Sequence, residues 1–269
     1  MKVSAARGGS SEPYTKMARY YDIIYSKRIN YESQADYLEQ IFAKRMKKVE
    51  SILDVASGTG NYTLIFAKRG YAATGIDMSD EMVRLARKKA GAAKNPRFFK
   101  MDMRHLEHLE RFDAITVLFG GFGYLHDRGD VESFLQGSRK HLNRGGLLVF
   151  EFWQNSAMNP AAIRPSGHDS WDRVQYGNKL IIRLHLSKYD AQTNIQSVRF
   201  DHYVLDIRNR KLLDTFSETH LVKTYSISHI QELLERNGFE SVGFYDGDIG
   251  NTKNPLTTAS FSTFRVLAV

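Results

Sequence analysis

The chain has 269 residues, 42% of them hydrophobic and 25% charged, with no cysteine and a formal net charge of +8. That length supports one α/β domain with an insertion and a substantial core, and the lack of cysteine excludes disulfides, thiolate metal ligands and iron–sulfur clusters, so no metal site is expected. No apolar run approaches the ~20 residues of a membrane span, and Lys2 and Arg7 lead into Gly-Gly-Ser-Ser rather than an apolar signal core, so a cytoplasmic chain with no membrane partner is expected.

Residues 1–12 lack periodicity and read as a disordered tail. From Tyr14, the segment YTKMARYYDIIYSKRINYESQADYLEQIF carries aromatic and aliphatic residues at helical spacing, which predicts two helices and a helical cap over residues 13–50. Ser51 to Ala56 is a short apolar run that meets a glycine-rich turn, and Asn61 to Lys68 reads as a helix. The unit then repeats as strand Ala72 to Asp77, helix Asp80 to Lys89, strand Arg97 to Met101, strand Ala114 to Phe119, helix Val131 to Leu142 and strand Leu147 to Phe152. Asn143 to Gly146 reads as a helix stop before the last of these. Strands separated by helices of about ten residues imply right-handed crossovers and a parallel sheet.

After Trp153 the pattern changes. Residues Lys179 to Lys188, Ile195 to Arg208 and Lys211 to Tyr225 alternate apolar and polar side chains with no helix between them, which predicts an antiparallel insert of about three strands over residues 154–225. Ser228 to Asn237 is an amphipathic helix ended by Gly238. The strands Ser241 to Tyr245 and Phe264 to Val269, with Asn254-Pro255 in the loop between them, suit an antiparallel hairpin at the sheet edge. The expected fold class is α/β: a Rossmann-like, doubly wound, seven-stranded, mostly parallel sheet from residues 51–153 and 226–269, with the antiparallel β insert and the N-terminal helical cap.

In Asp54-Val-Ala-Ser-Gly58-Thr-Gly60, the two glycines let the backbone turn tightly and approach a ligand with no Cβ in the way. Asp77 ends the second strand about 20 residues on, where a carboxylate can accept both hydroxyl hydrogens of an adenosine ribose. The glycine pair alone is an ordinary tight turn; the strand before it and the acid after it point to a nucleotide-type cofactor. Dinucleotides and S-adenosylmethionine compete for that place. Thr63 stands where a dinucleotide site usually has a third small residue, and Asp54 suits a ligand bearing an ammonium group better than a diphosphate.

Taken together, ILDVASGTGNY, Asp77, Asp102-Met103 and Phe112-Asp-Ala resemble the successive motifs of class I S-adenosylmethionine-dependent methyltransferases. From about Tyr14 to Val269 the chain is similar to aminosugar N,N-dimethyltransferases, and more distantly to glycine N-methyltransferase, through YYDIIY, KMDMR, FGGFGYL, LLVFEFW and FSETH. The resemblance implies S-adenosylmethionine as cofactor. It implies that Gly58 and Gly60 contact it with Ala56 at the turn, that Asp77 binds ribose and Met78 packs on adenine. Asp102 would accept from the adenine amino group, the Met103 backbone would complete that edge, and Leu118 would lie beneath the methionine and ribose. Tyr21 and Tyr31 would close the site from the cap, with Arg28 reaching the methionine carboxylate. Taken singly, Asp102 also reads as a helix cap and each tyrosine as core.

Where the aminosugar enzymes have a histidine after the fourth strand, this sequence has Tyr124, a departure. A phenol with a pKa near ~10 is a poor base at neutral pH, so Tyr124 is expected to orient the acceptor, with His126 and Tyr14 as the other catalytic candidates. Glu151 and Trp153 could offer a charge and an apolar wall to a cationic acceptor, or simply pack under the insert. The insert is expected to cover the acceptor pocket and to set specificity through side chains such as His185, Arg199, His202 and Tyr203.

The leading functional expectation is transfer of methyl to a small-molecule acceptor, an amine before a hydroxyl. Two alternatives stand beside it. The basic clusters Lys44, Arg45, Lys47, Lys48 and Arg84, Arg87, Lys88, Lys89 keep an RNA or protein methyltransferase in view, although both lie on polar helix faces that solvent alone explains. Against nucleic acid, the fourth-strand motif is Leu-Phe-Gly-Gly rather than the Asn/Asp-Pro-Pro-aromatic tetrad of enzymes acting on base amino groups. A protein that binds S-adenosylmethionine without catalysis is the second alternative.

Overall fold

A computed structural model of the chain describes residues 14–25, 28–45, 48–158, 170–246 and 264–268. The expected tail over 1–12 and the Asn254-Pro255 loop lie outside the described residues. The central sheet is built from β1 (Ser51–Val55), β2 (Ala72–Asp77), β3 (Arg97–Lys100), β4 (Phe112–Val117) and β5 (Leu142–Gln154), in the order β3-β2-β1-β4-β5. All four of these pairings are parallel. The last strand of the chain, β11 (Phe264–Ala268), pairs antiparallel with β5, and β10 (Ser241–Asp246) pairs antiparallel with β11. These seven strands form the doubly wound sheet the sequence predicts.

β1, β2, β4 and the second half of β5 are buried on both sides because both faces are covered, whereas the edge strand β3 buries only Phe98. Leu53, Val55, Ile115, Val117, Leu148 and Phe150 point into one core, which holds Phe134 of α5 (Arg128–His141) and Leu233 of α6 (Ile227–Arg236). Ile52, Ala73, Ala114, Leu147 and Val149 point the other way, onto Leu38 and Phe42 of α2 (Tyr31–Arg45) and Phe66 of α3 (Asn61–Lys68). The helix starts are chemically marked. The Ser79 hydroxyl accepts from Met82 N–H to cap α4 (Asp80–Ala90), and the Asp127 carboxylate accepts from Asp130 N–H to cap α5. Acidic residues open α4 and Arg87, Lys88 and Lys89 close it, in the sense the helix dipole favours.

Two expectations are corrected here. Asn143 to Gly146 is not a separate stop. It lies within β5 as a bulge, marked by Gly145 at φ +77°, where the register against β4 jumps from Phe112–Leu142 to Ala114–Leu147. The described residues of the insert form four strands rather than about three: β6 (Ser170–Tyr176), β7 (Lys179–Asp190), β8 (Ile195–Asp206) and β9 (Lys211–Tyr225), each antiparallel to the next. β6 escapes sequence reading because it is an edge strand with Val174 as its single buried residue. β9 joins the main sheet through Trp153–Thr224 and Gln154–Tyr225 on β5.

Helix α1 (Ala18–Tyr25) packs on the inner face of the insert, where Met17, Tyr20 and Ile24 meet Val174, Ile181, Val204 and Phe216. Cap and insert therefore share a core of their own. No helix among the described residues is long and apolar enough to cross a membrane.

Candidate active site

The C-terminal ends of β1 to β4 open into one cavity of about 360 Å³, at the crevice where α/β sheets bind ligands. Its floor is the turn after β1. Ala56, Gly58 and Gly60 all have left-handed backbone, at φ +54°, +55° and +79°, a conformation that disfavours side chains and, in a non-glycine residue, stores strain of the kind found at ligand clamps. The turn is braced by Asp77, which accepts hydrogen bonds from Gly58 N–H and Ser79 N–H, each at 2.8 Å. Burial pushes the Asp77 carboxyl up, and the two backbone donors oppose that shift.

Asp54 stands beneath the turn, 1% exposed, and accepts from Thr63 Oγ1 at 2.6 Å and Thr116 Oγ1 at 3.2 Å. Burial raises its carboxyl to about 7 against those two hydroxyls. Thr63 thus has a positive reason to be where a dinucleotide site has a small residue: it satisfies a buried acid.

The walls are apolar with polar ends. Met78, 55% exposed, stands at the rim, and Met82, Met101, Met103 and Leu118 line the interior. Asp102 reaches the cavity, but both its oxygens are bound by Arg104, at 3.0 Å to Nε and 2.6 Å to Nη2. That guanidinium holds the Asp102 carboxyl below its ordinary range, and Arg104 itself lines the cavity and reaches Asp130 at 3.4 Å. Tyr14, Tyr21 and Tyr31 close the cavity from the cap; Tyr31 packs edge-on against Tyr62 with ring centroids 5.0 Å apart.

Tyr124 lies on a 3-10 turn, Gly121–Tyr124, that follows β4. Its hydroxyl is 2.8 Å from that of Tyr14 and 2.7 Å from His220 Nδ1. Burial pushes both phenols above their ordinary range, so they hold their protons at neutral pH. His126 also lines the cavity, with Nε2 donating to the Leu221 carbonyl at 2.8 Å. His220 and Glu218 lie in the FSETH stretch, but sequence alone assigns them no place in the site. Phe216, Glu218, His220 and Val222 alternate along β9 and are all buried; two polar residues on an otherwise apolar strand face were the available signal.

Several expected site residues stand elsewhere. Arg28 is not on the cavity wall, because its Nη2 is taken by Asp172 Oδ1 at 2.7 Å. Gly60 does not line the cavity; a Cβ there would come within 2.6 Å of the Phe98 ring, so its role is close packing of the turn. Among the described residues, none of the insert lines the cavity. His185 binds Asp172 Oδ2 at 2.6 Å and His202 is fully buried against Phe216, while Arg199 and Tyr203 are on exposed positions. Glu151 is buried and accepts from Phe119 N–H at 2.8 Å, steadying a residue at φ +56° rather than facing the cavity.

The methyltransferase domain family matches residues 52–146, the stretch from β1 to the β5 bulge. The dTDP-3-amino-3,4,6-trideoxy-alpha-D-glucopyranose N,N-dimethyltransferase of Streptomyces venezuelae is 30% identical over 209 residues, 77% of this chain and 83% of the relative. This chain belongs to the S-adenosylmethionine-dependent methyltransferases. A second relative, the dTDP-3-amino-3,6-dideoxy-alpha-D-glucopyranose N,N-dimethyltransferase of Streptomyces fradiae, is 26% identical over 250 residues, 92% of each chain. A solved S-adenosylmethionine-dependent methyltransferase from Clostridium acetobutylicum has the same fold, with a TM-score of 0.75 at 20% identity over 95% of this chain and 98% of that one.

The residues of the methyltransferase cavity fit the cofactor. A Cβ at Gly58 would project into open space on the cavity floor, where backbone must approach a ligand closely. Asp77 keeps acceptor capacity beyond its two backbone donors, and the buried Ser57 Oγ has no protein hydrogen-bond partner. Among the described residues, no group of three His, Asp or Glu side chains could hold a metal ion.

Proposed function

We propose that this methyltransferase acts on the nitrogen of a small-molecule amine. The observation that carries the reading is the continuity of the cavity: one volume of about 360 Å³, lined from Gly58 and Asp77 to Tyr14 and Tyr124, whose hydroxyls are paired. Ala56, Gly58, Asp77, Met78, Asp102, Met103 and Leu118 would hold the cofactor, with Tyr21 and Tyr31 closing over it; Asp102 would do so while shared with Arg104. Tyr14 and Tyr124, with His126 at the margin, would face the acceptor. Two relatives named as N,N-dimethyltransferases of amino sugars support nitrogen over oxygen.

The cofactor supplies a methyl group already activated on a sulfonium. The protein's share of the catalysis is then chiefly alignment, since holding reactants within a near-attack geometry alone supplies several kcal/mol. Tyr14 and Tyr124, protonated and fixed by each other, orient the acceptor rather than deprotonating it outright.

The nucleic-acid alternative draws on the +8 charge. Much of the second basic cluster is already committed: Arg84 pairs with Glu81, Arg87 donates to the Phe98 carbonyl and Lys89 pairs with Asp22. Incubation with isotopically labelled S-adenosylmethionine and three acceptor sets, namely primary and secondary amines including amino sugars, matched alcohols, and tRNA, tests the reading. Label on amine nitrogen is expected. Label on RNA, with binding that falls steeply in salt, would replace it.

A further inference from the structure

Glu218 and His220, each 4% exposed, stand behind the tyrosine pair on successive inward positions of β9. Glu218 accepts from the backbone N–H groups of Tyr14 at 2.9 Å, Lys16 at 3.1 Å and Met17 at 2.9 Å, and so anchors the segment that carries Tyr14. Its Oε2 faces His220 Nε2 at 3.8 Å, and His220 Nδ1 is 2.7 Å from Tyr124 Oη. The Tyr14 ring covers the imidazole at 4.8 Å.

This arrangement has a direction. Carboxylate oxygens only accept, so the imidazole nitrogen facing Glu218 is the one that carries hydrogen; the opposite tautomer would set a ring lone pair against the carboxylate. Nδ1 is then an acceptor, and Tyr124 must donate to it. With its proton committed, the Tyr124 oxygen accepts from Tyr14, whose proton is committed in turn. Both phenol oxygens are left as acceptors toward the cavity.

Resting on the amine reading, we propose that Glu218 and His220 are positioning residues that lock Tyr124 and Tyr14 as hydrogen-bond acceptors for the N–H groups of the acceptor amine. The polarity matters because an amine attacks through its lone pair. A phenol donating into the cavity would cap that lone pair, whereas a phenol accepting N–H leaves it free and turns it away from the tyrosines. Burial, with the Arg183 charge adding to it, pushes the His220 imidazole down to about 4, which keeps it uncharged at neutral pH.

The test has two arms on the full-length protein. Nitrogen-15 NMR of histidine-labelled protein near neutral pH, with His220 assigned by its loss in His220→Phe, should show Nε2 protonated and Nδ1 bare. A proton on Nδ1 overturns the proposal whatever the substrate proves to be. In the kinetic arm, His220→Phe should lower kcat for an amine about 10- to 100-fold with S-adenosylhomocysteine affinity unchanged, and His220→Asn, which keeps an acceptor oxygen near the place of Nδ1, should recover most of the loss. His220→Phe at the wild-type rate overturns the proposal. Wild-type protein that methylates alcohols and no amine defeats the amine reading instead, while the tautomer measurement still decides the polarity.

Discussion

Asp22 of α1 accepts a 2.6 Å hydrogen bond from Thr59 Oγ1, so the helical cap is tied directly to the glycine turn. Asn61 Nδ2 joins the same oxygen at 3.1 Å, and Lys89 Nζ bridges Asp22 at 3.0 Å and Asn61 Oδ1 at 2.6 Å. Cap closure and the shape of the cofactor floor are thus one polar cluster. Asp22→Ala should weaken S-adenosylmethionine binding about fivefold, the value of about 1 kcal/mol for a partly exposed hydrogen-bonded group, and should speed amide exchange in α1. Unchanged exchange in α1 would show that the cap is held by the insert alone.

Gly58 and Gly60 should respond differently to the same change. Gly60→Ala places a Cβ 2.6 Å from the Phe98 ring and 3.1 Å from the Ala86 Cβ at φ +79°, so it should cost about 1–3 kcal/mol of stability in urea unfolding. Gly58→Ala carries the backbone strain of a side chain at φ +55° but meets no protein atom within 4 Å, so it should lose less stability than Gly60→Ala and more cofactor affinity. Equal effects on both quantities would remove the distinction between a packing glycine and a ligand glycine.

His202 is fully buried, stacked on Phe216 at 4.4 Å, with neither ring nitrogen hydrogen-bonded. Burial, with the Arg183 charge adding to it, lowers its imidazole to about 4. Its unfolded value is about 6.5, so between the two the unfolded chain binds a proton that the folded one refuses. Stability is full above about pH 6.5 and is lost as pH falls through about 4. Asp54, raised to about 7, acts in the opposite sense, and the effect is therefore read as a difference between proteins. His202→Phe should gain about 3 kcal/mol on wild type between pH 7.5 and pH 4. A constant gap across that range would contradict the burial argument.

The parts of this fold that repeat locally were legible from sequence. β1, the glycine turn and α3 are contiguous, and Asp77 follows at a spacing fixed by one helix and one strand, so periodicity alone orders them. Residues that meet through strand register were not legible. Tyr124 and His220 are 96 positions apart, and their contact depends on β9 joining β5 at Trp153–Thr224, which no local pattern encodes. Arg28 shows the reverse failure: it has the charge to meet a carboxylate ligand, and Asp172 on an edge strand that sequence did not reveal takes it first.

In the proposed reading, one cavity has a cofactor half at Asp77 and an acceptor half at Tyr124. Calorimetric titration of S-adenosylmethionine into wild type, Asp77→Ala and Tyr124→Phe, paired with turnover of an amine, tests it directly. Asp77→Ala should lose about 10- to 100-fold in affinity, as unpaired polar groups cost about 1–3 kcal/mol. Tyr124→Phe should bind the cofactor as wild type does and lose turnover. Wild-type affinity in Asp77→Ala, or a Tyr124→Phe protein that turns over amine at the wild-type rate, would rule out this division of the cavity.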